Sequence, residues 1–179
     1  TSTPDVIRAG ADAGAGFIND VRALQRDGAL QAVADTCLPI CLMHMPGEPT
    51  NMQNAPCYDD VVVQVQSFFE SRIQACAAAG IDRDRIVLDP GFGFGKTDPQ
   101  NLQLLSALPS LSALGLPLLV GLSRKSIIGR LLGREVEDRM VGSVALALMA
   151  MERGAAIVRV HDVAQTMDAL RLFCAVRKA

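Results

Sequence analysis

The sequence predicts an α/β fold built on parallel strands that are buried on both faces. Three observations carry the prediction. Short, nearly all-apolar runs recur along the chain, helix-length stretches separate them, and half of the 179 residues are apolar while only 20% are charged. That composition supports one domain with a real core and argues against disorder.

Taken in order, residues 3–14 read as a helix, with Thr3 as N-cap, Pro4 at the first helical position, and Gly14 and Gly16 past its end. Phe17–Val21 is a short strand. Asp27 is placed to cap a helix carrying Leu30, Val33 and Ala34, and Pro39–His44 is the next strand. Residues 45–57, rich in proline and amides, read as a long loop of the kind that is usually functional. A helix follows from Tyr58 to Ala79, with Val61, Val65, Phe68, Phe69, Ile73 and Cys76 on one side and Gly80 as its stop. Arg85–Asp89 is the third strand and runs into the glycine loop Pro90–Lys96. Asp98-Pro99 then opens a helix whose apolar side is Leu102, Leu105 and Leu108. Pro117–Gly121 is the fourth strand. A helical region from Lys125 to Gly154, broken near Gly133, leads to a fifth strand at Ala156–Val160, and a last helix spans Val163–Lys178. Five βα units result, preceded by one helix, in a single domain over residues 1–179.

Seventeen basic and nineteen acidic residues give a net charge of −2, and no basic run marks a nucleic-acid partner. No apolar run reaches the roughly 18 residues of a membrane span, and no signal peptide is visible. Five cysteines without a C-x-x-C pair point to reduced thiols in a cytoplasmic protein rather than to a disulfide framework or a zinc site. The chain opens directly on a helix without a preceding Met, which leads us to expect a fragment or a processed product.

In folds of this class, functional groups gather where strands end. Here every strand end is polar: Asn19-Asp20, His44, Asp89, Ser123-Arg124-Lys125 and Arg159-Val160-His161-Asp162. Carboxylate, amide, amine, guanidinium and imidazole groups are expected to converge on one rim. Asp20 and Asp162 have an equally good reading as caps of the following helices. The run Gly91-x-Gly93-x-Gly95-Lys96-Thr97 resembles a P-loop, but a P-loop needs glycine where Pro90 stands, so nucleotide binding is not expected. The loop can bring backbone close to a ligand and display Phe92 and Phe94 beside it. Ser123–Ser126 precedes a helix, where free N–H groups, hydroxyls and cations suit an anion. Arg159 and His161 alternate with Val160 and are expected on one face, where a guanidinium can stack on an aromatic ring. Together these groups suggest a planar heterocycle plus an anion.

Five motifs, in order and over the whole chain, resemble those of the dihydropteroate synthase family: I-N-D-V at Ile18–Val21, L-M-H-M at Leu42–Met45, L-D-P-G-F-G-F-G-K at Leu88–Lys96, G-L-S-R-K-S at Gly121–Ser126 and R-V-H-D at Arg159–Asp162. The resemblance implies a TIM (β/α)₈ barrel, of which about five βα units are present and the N-terminal strands are missing. It also implies an enzyme of folate synthesis that condenses 6-hydroxymethyl-7,8-dihydropterin pyrophosphate with p-aminobenzoate and is inhibited by sulfonamides. Asn19 and Asp89 would then hydrogen-bond the pterin's aminopyrimidinone edge, Lys125 would donate to the ring carbonyl and a ring nitrogen, and Arg159 would stack on the pterin. Val21, Met43, Gly93, Phe94 and Gly121 would line the slot. Arg159, His161 and Asn19 would meet the pyrophosphate, while Ser126, with Ser123, Arg124 and Phe94 nearby, would receive the p-aminobenzoate carboxylate. Lys125, Asp89 and Arg159 are the groups expected to act in catalysis.

The resemblance further implies a Mg²⁺-assisted departure of pyrophosphate before the aryl amine attacks, and a homodimer formed through helices near the C-terminus, compatible with the apolar stretch Met140–Met151. One departure stands out. The family's N-x-T-P-D-S-F loop, its second mobile loop and an Asp preceding the position of Thr1 are not in this sequence. The first loop supplies the Mg²⁺ ligand, so no metal ligand is expected among these residues. Two other readings stay open: a pterin-binding piece without activity, and a pterin-dependent methyltransferase on a related barrel, against which the S-R-K-S run argues.

Overall fold

The computed structural model describes residues 1–47 and 58–178. Its elements are α1 (Pro4–Asp12), β1 (Ile18–Asp20), α2 (Ala29–Ala34), β2 (Ile40–Met43), α3 (Val61–Ala78), β3 (Ile86–Asp89), α4 (Asp98–Ser106), α5 (Leu108–Ser112), β4 (Leu118–Val120), α6 (Ser126–Leu132), α7 (Met140–Glu152), β5 (Ala155–Val158) and α8 (Val163–Lys178). Single 3₁₀ turns precede β3 at Arg83–Arg85 and α7 at Val136–Arg139. Most of the expected loop at 45–57, together with Cys57, lies outside the described residues.

All five strands are parallel and lie in the order β1-β2-β3-β4-β5. A doubly wound sheet reverses direction at a switch point; an order that never reverses is that of a barrel wall. Strand residues alternate between the two faces. The register places Asn19, Cys41 and Val87 side by side, with Leu119 against Ile157 and Met43 against Asp89. The opposite parity (Ile18, Ile40, Leu42, Ile86, Leu88, Leu118 and Val120) packs under the helices in the main core with Val65, Phe69, Leu104, Leu108 and Leu111. Cys41, Val87 and Leu119 form a separate small cluster on the inner face. Burial pushes the Cys41 thiol pKa up, and the nearby Asp89 charge pushes it the same way.

Several boundaries differ from expectation for local reasons. The residue that caps α2 is Gly28, in a left-handed conformation, not Asp27. Helix α4 is capped by Thr97 rather than Asp98: the Thr97 hydroxyl accepts from the Gln100 N–H, and the Gln100 side chain accepts from the Thr97 N–H. Its buried apolar side is Leu104 and Leu105, while Leu102 is 41% exposed; Leu108 is buried as the first residue of α5. Asp60 caps α3 by accepting from Val62 and Val63. Helix α5, with Pro109 in its first turn, is an extra element that short sequence windows do not separate from α4.

Candidate functional site

The turn after β1 shows how one strand end divides its two polar residues. Asp20 points to the helix side and is fully buried. Its carboxylate accepts from the Ser2 hydroxyl, from the Arg22 N–H at 2.9 Å and from the Leu24 N–H at 2.8 Å. Ala23 and Leu24 sit at positive φ, and Arg72 of α3 donates to both of their carbonyls. Asp20 therefore holds a strained turn together and is a structural group. Asn19 has the other parity and faces the inner side of the sheet.

Two residues further along each strand, the same inner parity gives Val21, Met43, Asp89, Gly121 and Arg159. Met43 and Asp89 are register partners, and both are buried. Arg159 lies just past β5, where its N–H donates to the Val120 carbonyl. Its guanidinium reaches across the rim to Asp89 at 3.0 Å and to the Asn19 side-chain oxygen at 3.5 Å. It rests on Gly121, where a Cβ would stand 2.9 Å from its Nη2 atom. Val21 is partly buried in the turn after β1. Phe17, Asn19, Leu119, Ile157 and Arg159 line an inner cavity of about 390 Å³.

The glycine loop forms the opposite wall. Gly91 takes φ +69°, and a Cβ there would fall 1.9 Å from the His44 carbonyl oxygen, so only glycine fits. Its N–H donates to Asp89 at 2.8 Å, and Phe94 N–H closes a turn onto the Gly91 carbonyl at 3.1 Å. The side-chain oxygen of Asn101, from α4, accepts from the Gly93 N–H at 2.7 Å. Phe94 stays at the surface of the loop, but Phe92 is fully buried in the core and is not displayed to a ligand. Lys125 lies across this wall. Its amine donates to the Phe92 carbonyl and sits 4.7 Å from the Phe94 ring centroid. Burial lowers its pKa to about 8; the Asp89 charge opposes the shift and Arg159 adds to it.

Ser123 is buried and accepts from the His161 N–H at 3.1 Å, and its hydroxyl lies 3.0 Å from His161 Nδ1. Arg124, at φ 55°, forms a two-point ion pair with Asp162 at 3.0 and 2.5 Å. Ser143 and Arg139 fix its backbone from α7 and the preceding turn. These two residues and Asn101 had no motif to announce them. Ser126 is exposed at the start of α6 beside Gly93, Phe94, Lys125 and Arg130, in a cavity of about 380 Å³.

The polar residues at the strand ends do not all converge on the rim. The His44 ring turns away from it and packs edge-on against Phe68 at 4.9 Å, because its parity is that of Leu42, on the helix side. Burial lowers its pKa to about 3, and the charge of Lys96 acts in the same direction. Arg159 and His161 both lie past the end of β5 at Val158; the Arg159 guanidinium reaches Asp89, and the His161 ring reaches Ser123. Lys96, the lysine of the P-loop-like run, is turned beneath the loop onto backbone carbonyls rather than presented to an anion.

The chain as a whole is similar to known proteins. A family model described as pterin binding enzyme matches residues 1–161. The dihydropteroate synthase of Escherichia coli K12 is 51% identical over 172 residues, covering 96% of this chain and 61% of that protein. Among solved structures, Yersinia pestis dihydropteroate synthase in a sulfonamide drug complex superposes with a TM-score of 0.97 at 51% identity, covering 99% of this chain and 65% of that one. Xanthomonas albilineans dihydropteroate synthase in complex with 7,8-dihydropteroate gives 0.94 at 54% identity, with 100% and 66% coverage. The chain thus spans about three-fifths of the curated relative's length. The architecture is that of a (β/α)₈ barrel, and the described residues supply five of its βα units.

Proposed function

Because this chain belongs to the pterin-binding enzyme family, we propose that it carries the pterin site of a dihydropteroate synthase. The reaction joins 6-hydroxymethyl-7,8-dihydropterin pyrophosphate to p-aminobenzoate and yields 7,8-dihydropteroate and pyrophosphate. One observation carries the reading: a buried carboxylate, Asp89, stands on the inner face, ion-paired to the Arg159 guanidinium and within electrostatic reach of the half-buried Lys125 amine.

The Asp89 carboxylate is oriented by the Gly91 N–H and is suited to accept two N–H bonds from the pterin's aminopyrimidinone edge. Asn19 adds a donor and an acceptor on the same edge. Lys125 in its ammonium form donates to the ring carbonyl and a ring nitrogen. The guanidinium of Arg159 now occupies the space above Asp89, so pterin entry requires it to lift and stack on the ring. Gly121 leaves room for that movement and, with Val21, Met43, Gly93 and Phe94, lines the slot. In the reaction the methylene C–O bond breaks, its electron pair leaves with pyrophosphate, and the amine of p-aminobenzoate attacks the methylene carbon and then loses a proton. Arg159, His161 and Asn19 face the departing anion. Ser126, supported by Ser123, Arg124 and Phe94, receives the p-aminobenzoate carboxylate, which is also the place where a sulfonamide competes. The contribution of these groups is positioning and electrostatic stabilisation rather than nucleophilic attack.

Mg²⁺ belongs to the proposal as the counter-ion of the departing pyrophosphate, but this chain's residues do not fit it. No three His, Cys, Asp or Glu side chains cluster among the described residues, and Asp20 and Asp162 are already engaged. No step above therefore runs through a metal. A second copy of the chain is the partner we assign to the apolar surface of α6 and α7, where Leu131, Leu132, Val141 and Met149 are exposed. No described helix is long and apolar enough to cross a membrane. The cytoplasmic location we assign rests on the cysteine pattern, which points to reduced thiols.

The test is formation of dihydropteroate by the protein at its native length. Turnover that depends on p-aminobenzoate and is blocked competitively by a sulfonamide supports the reading. Pterin binding that is indifferent to both compounds would sink it and favour a methyltransferase.

A further inference from the structure

Beneath the glycine loop lies a cation that the proposed chemistry does not use. Lys96 is only 5% exposed. Its Nζ donates to the Gly91 carbonyl at 2.9 Å, to the Phe94 carbonyl at 3.1 Å and, more weakly, to the His44 carbonyl at 3.4 Å. An ammonium has three N–H bonds, so this cage of carbonyls matches it one for one. Burial nevertheless draws its pKa down to about 7; the charge of Asp89 opposes the shift and that of Lys125 adds to it. A buried lysine is an expensive fastener where a neutral side chain could fill the space, so its placement calls for a physical account.

The account comes from what the three carbonyls belong to. Gly91 and Phe94 are the two ends of one turn, already closed by the Phe94 N–H on the Gly91 carbonyl. At the first end, the Gly91 N–H holds one oxygen of Asp89. At the other, the Phe94 ring lies beneath the Lys125 amine, which also donates to Phe92 between them. The third carbonyl, that of His44, ties the turn to the end of β2, where a Gly91 Cβ would collide. Both side chains that would read the pterin edge are therefore set from a single turn, and one buried cation closes it.

We propose that Lys96 is a positioning residue for pterin recognition: its ammonium locks the Gly91–Phe94 turn and thereby sets the Asp89 carboxylate and the Lys125 amine together. The inference rests on the pterin site proposed above. It differs from a purely structural role in what it predicts. A lysine that only supports the fold changes the fraction of protein that is folded. A lysine that sets two binding groups changes the affinity of the molecules that are folded.

Calorimetric titration with a dihydropterin separates the two, because stoichiometry reports the competent fraction and the curve reports Kd. In the protein at its native length, Lys96→Met is expected to raise the pterin Kd about tenfold or more with stoichiometry retained. Lys96→Gln, which keeps two donors without the charge, is expected to fall between it and the wild type. Wild-type Kd in either variant overturns the proposal, as does loss of folding in both, which would make Lys96 a structural cation only. If the wild-type protein itself binds no pterin, the functional reading fails instead, and the two failures are distinguishable.

Discussion

The two faces of the five strands both carry polar groups, and they satisfy them in different ways. On the helix side, Asp20 is closed off: a hydroxyl and two backbone N–H groups use its oxygens, and the turn it holds is further fixed by Arg72. On the inner side, Asp89 is as deeply buried, but among the described residues one of its oxygens is met by a half-exposed guanidinium, a partner free to swing out. Asn19 and Asp20 are neighbours in sequence, and one strand residue's change of parity separates a group available to a ligand from a group that folds the chain. Burial alone does not mark a site; a buried charge whose partner is replaceable does.

The sharpest break of this comparison is Asp89→Ala. Removing a buried charge that reads a ligand, the role proposed for Asp89, costs about 2–5 kcal/mol of affinity, so the pterin Kd should rise roughly thirtyfold or more. Titration of the folded variant checks this. Asp20→Ala should do the reverse. It leaves buried donors without an acceptor and should lower stability by about 2–4 kcal/mol in denaturant unfolding, with the pterin Kd of the folded protein unchanged. A loss of affinity equal to that of Asp89→Ala would erase the distinction between the faces. A smaller effect is expected for Gly121→Ala. The atoms nearest the added Cβ belong to the movable end of Arg159, so stability should hold within about 1 kcal/mol while pterin affinity falls several-fold.

The smallest effect is that of pH. In the proposed site Lys125 would donate to the pterin ring only while protonated, and its pKa is lowered to about 8. Pterin affinity should therefore decline as pH rises through about 8. Stability responds with the opposite sign. Between about 8 and the ordinary lysine value of 10.5, the unfolded chain holds a proton that the folded chain has released, so the Lys125 contribution to stability rises with pH. Affinity and unfolding measured on the same samples between pH 7 and 10 test both directions; in a Lys125→Met variant the rise of stability with pH should shrink to the share contributed by Lys96, whose pKa burial lowers to about 7.

Much of the fold was legible because the strands are short apolar runs with clear breaks. All five lie within a residue or two of where those runs place them. The site was legible as a set of strand ends, since motif and position both point to Asn19, Asp89, Lys125 and Arg159. What sequence did not reveal was direction. His44 and Phe92 sit at the right places in the chain, yet one faces α3 and the other the core. Parity explains His44. Phe92 turns inward because the positive-φ glycines on either side of it bend the loop, and one-dimensional spacing does not encode such a bend. Lys96 was hidden by its resemblance to a phosphate-binding lysine, and Asn101, Ser143 and Arg139 act from helices and turns with no pattern of their own.

The pterin slot proposed for the inner face of this sheet stands or falls with Asp89 and Lys125. Calorimetric titration of the chain with a pterin is the decisive experiment. Measurable binding is expected in the wild type, and its loss in both Asp89→Ala and Lys125→Ala. Wild-type affinity retained in both variants would contradict it.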